Sequence, residues 1–349
     1  MGEDSSSADR QSEAGGRIRT ERWTCTGPAD LQLSLTAGSI EVVLTDGAGE
    51  VSVELAAATD TGFGNWSSGL SGLLNRIGVA TGPGGKLRFG GHEMSFGGSG
   101  FSLDGLDLAD LADLTHLTGG ELPASAVGAA EISWSESNRQ LTVRSAGQLP
   151  ARLVPLTVTI HAPARTLVRA STGAGNVTVR GESADADVRT VSGTVEVDRV
   201  TGDLRLDAGS GDATVRSVSG RAFSKVGAGD LTLNSLNGPS QLKSGSGDIR
   251  VGTARADLHA RTGSGDLSVS DAERGNLDLT TGSGDLTVAV HAGVAAQLDL
   301  RSGSGRVRSE LDVSDNPPSG DHAQLVVHGG TGSGDVLVTR ALSSTGAAG

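Results

Sequence analysis

From Gly173 to Ser268 the chain repeats itself every 18 residues, and a fixed period of this size requires one small structural unit stacked on copies of itself. The marker Gly-x-Gly-Asp, followed by alternating aliphatic residues, starts at Gly209, Gly227, Gly245 and Gly263. Gly173-Ala174-Gly175-Asn176 and Val191-Ser192-Gly193-Thr194 are in phase with it, and Gly282, Gly303 and Gly332 continue it at spacings of 19, 21 and 29.

Within a unit, apolar residues recur four, six, nine, thirteen and fifteen places after the first glycine position, as at Val195, Val197, Val200, Leu204 and Leu206. Two of these sets alternate with polar residues, which is the period of a strand and not of a helix. Each unit therefore reads as a strand, a corner near Gly202, Gly220 or Gly238, a second strand, and the Gly-x-Gly corner. One coil cannot fold alone, because five aliphatic side chains do not offset the entropy of ordering 18 residues. Stacked coils bury both sides of the apolar set and pair every strand with its neighbours. The expected fold is all-β: a single-stranded parallel β-solenoid, or β-helix, with about 18 residues per coil. The usual hand of parallel crossovers makes it right-handed.

The composition agrees with an elongated solenoid core built from stacked Val, Leu and Ala. Three tryptophans, five phenylalanines and no tyrosine are too few for a conventional core of 349 residues, and Phe223 is the last aromatic after Trp134. A net charge of -13 argues against nucleic acid as a partner through a broad basic face. The single cysteine, Cys25, forms no intramolecular disulfide and reads as a small buried residue. The first residues lack an apolar signal core and no 18-residue apolar run occurs, so the expectation is a chain without transmembrane segment, cytoplasmic or peripherally associated with the envelope.

Along the chain, residues 1–19 and 341–349 read as disordered tails, 20–58 as N-terminal strands of the solenoid, and 130–340 as its repeats. Between them, 59–129 is a Gly-rich, partly helical insertion: Leu70 to Ile77 and Leu103 to Leu117 each present an apolar stripe, the second with aspartates opposite. It is expected to cover the solenoid, since ends and edges of stacked coils need protection. Trp66, Phe89, Phe96 and Phe101 make the same segment a candidate partner surface.

A β-rich lead closing on Leu156 to Pro163, followed by serial Gly-Ser-Gly-Asp-aliphatic units, resembles the bacterial putative-adhesin β-strand-repeat family, catalogued as domain of unknown function 4097. The resemblance covers about Thr20 to Thr339 without the insertion. It implies a β-helical domain often linked to the cell envelope, and it carries no catalytic residues with it.

Stacking brings Asp212, Asp230, Asp248, Asp266 and Asp285 into one corner column. Neighbours about 4.8 Å apart would each repel by roughly 0.9 kcal/mol in water. The expectation is a structural column whose carboxylates accept corner N–H groups, balanced by a parallel column of Lys225, Lys243 and Arg261, with Arg301 further on. A calcium ladder is the alternative, although the period and the Asp position fit poorly. A polysaccharide-active β-helix enzyme is a second alternative, disfavoured by the scarcity of aromatics and by seven histidines at no repeated position. The reading is a non-catalytic, adhesin-like binding or scaffolding protein with no cofactor and no metal. Its partner is a protein or an envelope component, with self-association through the solenoid ends open to it.

Overall fold

The computed structural model describes residues 9–13, 18–58, 88–89, 92–93, 121–148, 151–311 and 324–341. Each regular coil supplies one strand to a first face and one to a second. Ala213–Val218, Leu231–Leu236, Ile249–Ala254 and Leu267–Ala272 stack in parallel on the first face. Ala222–Ala228, Ser240–Ser246, Leu258–Ser264 and Gly275–Ser283 do so on the second. The long strand Val177–Ser192 turns a corner, pairing with Val195–Val200 on one face and Leu204–Ser210 on the other. The expected parallel β-solenoid is the observed fold.

Inward side chains of the two faces meet in one continuous core. Leu231, Leu233 and Leu236 from the first face and Leu242 from the second are almost wholly buried, as the period-2 pattern requires. A sixth inward position escaped the aliphatic pattern because it is often polar: Thr190, Ser244, Thr262 and Thr281 are buried just before the Gly-x-Gly corner. Thr262 Oγ1 donates to the Gly247 carbonyl at 3.0 Å, and Thr281 Oγ1 to that of Gly265 at 2.9 Å, so these hydroxyls satisfy corner carbonyls of the preceding coil.

The N-terminal end departs from a plain stack. Gly38–Thr45 and Asp30–Leu35 join the two faces in parallel, but Leu156–Pro163 pairs antiparallel with Glu50–Ala57, which in turn pairs antiparallel with Ile18–Thr24. Part of the segment expected to be a tail is a strand: Asp9–Glu13 pairs antiparallel with Ile18–Thr24 and takes up the open edge that strand would otherwise present. Trp23 of the first face stacks on Trp134 of the second, with ring centroids 5.8 Å apart. The helix Glu121–Ala129 buries Ala126 and Val127 against Glu50–Ala57 and Ile18–Thr24. Of the 59–129 insertion, only this helix and the strand pair Arg88–Phe89 and His92–Glu93 belong to the described residues. The expected helices at Leu70 to Ile77 and Leu103 to Leu117 lie outside them.

The C-terminal end corrects the order in which coils were expected to stack. Leu325–Ser333 pairs with Gly275–Ser283 on one side and with Ala296–Ser304 on the other, and Val336–Arg340 sits likewise between Leu286–Val290 and Val307–Ser309. The coil that is last in sequence is thus inserted beneath the one before it. The arrangement buries Leu325, Val327, Val336 and Val338 completely and leaves Val307–Ser309, exposed at every residue, outermost among the described residues.

The Gly-x-Gly corner explains why the period is so strict. Gly247 has φ of +131°, and a Cβ there would lie 2.2 Å from the Gly229 carbonyl oxygen of the coil before. At Gly245 the conformation is ordinary, yet a Cβ would stand 2.5 Å from the Gly227 carbonyl oxygen. After the second glycine, each aspartate hands one oxygen to the next coil. The N–H of Asp230 donates to Asp212 Oδ1 at 2.9 Å, that of Asp248 to Asp230 at 2.9 Å, that of Asp266 to Asp248 at 2.8 Å and that of Asp285 to Asp266 at 2.8 Å. The inserted coil extends the ladder, with Asp335 donating to Asp285 and Arg306 to Asp335.

Arg306 pairs with Asp335, and the cation that pairs with the middle of this ladder is Arg250, not the column of Lys225, Lys243 and Arg261. Its guanidinium reaches Asp230 Oδ2 at 2.7 Å and also pairs with Asp248. Arg250 projects beside the corner from the strand that follows it, whereas the other three lie on the strand that precedes it. The hydrogen bond from the Arg250 side chain, then that from the Asp248 N–H, hold the Asp230 carboxyl below the usual aspartate range.

Gly247→Val is expected to destabilise the fold by about 3 kcal/mol or more in denaturant titration, because the Cβ meets backbone rather than a movable side chain. Asp248→Asn keeps the Oδ1 acceptor for Asp266 and loses one exposed ion pair, so its cost should stay below about 1 kcal/mol. A large loss from the Asn variant with a small one from the Val variant would reverse this account of the corner. Because the Asp230 pKa is lowered on folding, its contribution is in place above the ordinary aspartate pKa and is lost as pH falls through the lowered value. The thermal midpoint of the native chain should therefore drop more between about pH 5 and pH 3 than that of Arg250→Gln, and equal acid limbs would count against the pairing.

Candidate functional site

The five aspartates expected in one column do share one corner, joined there by Asp335. Each passes an oxygen to backbone, so the column forms part of the frame. A second ladder runs along the opposite corner, at residues whose 18-residue spacing would have revealed them: Asp203 N–H donates to Asp185 Oδ1 at 2.8 Å and Arg221 N–H to Asp203 Oδ1 at 2.9 Å. The Arg221 guanidinium closes on Asp203 Oδ2 at 2.6 Å. Its side-chain hydrogen bond, followed by the Arg221 N–H, lowers the Asp203 pKa.

The outer surface of the second face carries two columns of outward side chains, set in register by the coil stacking. One runs Arg169, Asp187, Arg205, Phe223, Gln241, His259; the other runs Arg189, Asp207, Lys225, Lys243, Arg261. A shallow groove of about 660 Å³ lies over the first column, with Arg205, Phe223 and Gln241 in its floor and Asp203 and Arg221 on its rim. The Arg205 guanidinium is stacked over the Phe223 ring, 5.3 Å from its centroid.

The second column falls in the middle of this face. Lys225, Lys243 and Arg261 occupy three successive strands, and none has a hydrogen-bond or ion-pair partner among the described residues. Arg301 does not continue the row, since Thr280 and Gly330 stand between it and Arg261. Sequence spacing placed the three cations in a column but not on which surface, and strand register settles that.

Other candidates are occupied or shielded. Asp271, Glu273 and His291 converge with ligand atoms within 4.8 Å of one another, a grouping that sequence spacing did not suggest. His291 Nδ1 lies 2.8 Å from Asp271 Oδ1, and Arg255 Nε donates to both oxygens of Glu273 at 2.9 Å, so the guanidinium already supplies the positive charge. Cys25 is 2% exposed; burial pushes its thiol pKa up, so it is a poor nucleophile. Of the aromatic partner surface expected in the insertion, Trp66, Phe96 and Phe101 lie outside the described residues, and Phe89 falls in the short strand Arg88–Phe89. Among the described residues no helix is long and apolar enough to cross a membrane.

Comparison with known proteins gives a family and distant structural likenesses. No curated protein matches the chain. Among solved structures, a putative adhesin from Bacteroides fragilis is 11% identical, with 92% of this chain and 96% of that one covered and a TM-score of 0.38. Another from Parabacteroides distasonis is 11% identical over 93% and 97%, with a TM-score of 0.36. A putative cell adhesion protein from Clostridium sporogenes is 7% identical over 93% and 99%, with a TM-score of 0.22. The family model described as Toastrack DUF4097 matches residues 155–340, from the strand Leu156–Pro163 through the last described coil. That stretch is more than half of the 349 residues and contains every regular repeat, and the chain belongs to the Toastrack DUF4097 family.

Proposed function

We propose that the chain is a non-catalytic binding module, adhesin-like in kind, that meets its partner with the outer surface of the second face. The observation that carries this reading is the contrast between the corners and that face. At the corners the carboxylates are tied to backbone and arginine; on the face, Arg205, Phe223, Gln241 and the unpaired Lys225, Lys243 and Arg261 stand in register on a rigid sheet. The backbone that carries these side chains is held at fixed strand spacing, so binding has to order side chains but no loop.

Catalysis fits this surface poorly. General acid–base hydrolysis needs one carboxyl that keeps its proton near neutral pH, and the corner interactions act in the opposite direction on Asp203 and Asp230. The groove presents one aromatic ring, against the several platforms that hold a sugar chain for cleavage. The calcium reading is weakened in the same way, because each column aspartate from Asp212 to Asp285 has already given Oδ1 to an N–H of the next coil. We place the partner at the cell envelope, with the chain peripheral to it.

The test is co-sedimentation of the full chain with isolated bacterial envelopes, comparing Arg205→Glu on the second face with Thr232→Glu on the first. Loss of binding in the first variant alone is expected; equal binding by both, or release of new reducing ends from envelope polysaccharide, would overturn the reading. In parallel, the thermal midpoint should be the same in about 5 mM calcium and in chelator, since a ligand that binds only the folded state at a hundredfold excess over its Kd would add about 2.7 kcal/mol.

A further inference from the structure

We infer that the row Lys225, Lys243 and Arg261, with Phe223 and Gln241 alongside, is a track for a linear acidic polysaccharide bearing a carboxylate on successive sugar units; the inference rests on the binding reading above. Three exposed cations in register on adjacent strands repel one another, and none of them forms an ion pair with a carboxylate among the described residues, although Asp207 stands one strand from Lys225. The chain does not lack anions, since its net charge is -13. The same repeat places Arg250 between two aspartates at the corner, so unpaired cations are not a general consequence of the coil. They mark a place where the balancing charge comes from outside.

Geometry narrows the class of ligand. The cations rise along the stack by one strand spacing, about 4.8 Å, comparable with the length of a single sugar unit in a chain. The neighbouring outward column lies two residues away along each strand, roughly 7 Å, and there Phe223 and Gln241 accompany Lys225 and Lys243. A chain laid across the strands therefore meets one cation per unit on one side, and on the other an aromatic edge and an amide suited to ring faces and hydroxyls. The row is bounded, with Asp207 before Lys225 and Thr280 after Arg261, so the track accepts about three charged units. A single-stranded nucleic acid would want a series of stacking platforms, and Phe223 is the sole aromatic from residue 135 to the end of the chain.

The probe is tetragalacturonate, titrated calorimetrically into the full chain at low salt. Binding is expected, weakened roughly tenfold or more in Lys225→Gln/Lys243→Gln, and falling as salt screens the charges. Arg216→Gln on the first face, which removes one exposed positive charge away from the track, should bind as the native chain does. Circular dichroism and melting of each variant keep a folding defect separate from a binding one. A neutral oligogalactose should not bind. No binding of tetragalacturonate, binding unchanged in the double variant, or tighter binding of single-stranded DNA would overturn the assignment. Envelope co-sedimentation run beside it separates the two claims. If Arg205→Glu still abolishes sedimentation while tetragalacturonate fails, the ligand class is wrong and the binding reading stands; if both fail, both fall.

Discussion

A backbone contact that tolerates no side chain holds each coil at the height of the one before it. At the Gly-x-Gly corner the carbonyl oxygen of Gly229 occupies the place where a Cβ of Gly247 would be, and the same approach recurs from Gly193 over Gly175 to Gly265 over Gly247. Because this contact is made of backbone, it cannot relax as a side chain would, and it sets the offset between coils at one strand spacing. Everything else follows the offset: inward aliphatics stack into columns, inward threonines reach the carbonyls of the preceding corner, and aspartates reach the next N–H.

The aspartate ladder shows how a repeat can carry a column of like charges. Each Oδ1 accepts a backbone N–H that would otherwise face solvent at an irregular corner, and one arginine, Arg250, serves two coils. An exposed ion pair contributes little to stability, from nothing to about 1 kcal/mol. The significance of these pairs is therefore what they leave over. Carboxylates bound to backbone and guanidinium are poor metal ligands, and Asp203 and Asp230, with lowered pKa, are poor proton donors at neutral pH, while Lys225, Lys243 and Arg261 on the second face remain uncommitted among the described residues. That asymmetry, rather than any cavity, distinguishes one surface of the solenoid from the other.

The two ends meet different demands. At the N-terminal end, antiparallel strands, the Trp23–Trp134 stack and the helix Glu121–Ala129 close over the core. At the other end, the inserted final coil puts the most apolar strands inside and leaves Ala296–Ser304 and Val307–Ser309 as the outermost pair among the described residues. Leu298 and Leu300 there are only partly buried, as the last layer of a stack must be.

Much of this was legible without coordinates, because an 18-residue period, alternating aliphatics and paired glycines leave one way to bury the core. The repeat alone determined the coil, its two strands and its corners, and aligned five aspartates, but not that Asp335 joins them. It could not reveal that Leu325–Ser333 lies between Gly275–Ser283 and Ala296–Ser304, since a period records order along the chain and the longer spacing before Gly332 lets a strand return to an earlier level. It also mistook the role of Lys225, Lys243 and Arg261. Their spacing placed them in one column, but the partner of a charge depends on which strand flanks the corner and which way its side chains point. Arg250, two residues after Asp248, reaches the carboxylates, and the other three are directed to the outside of the second face. Local pattern is enough where backbone geometry dictates the answer; charge pairing across coils is decided only when the strands are stacked.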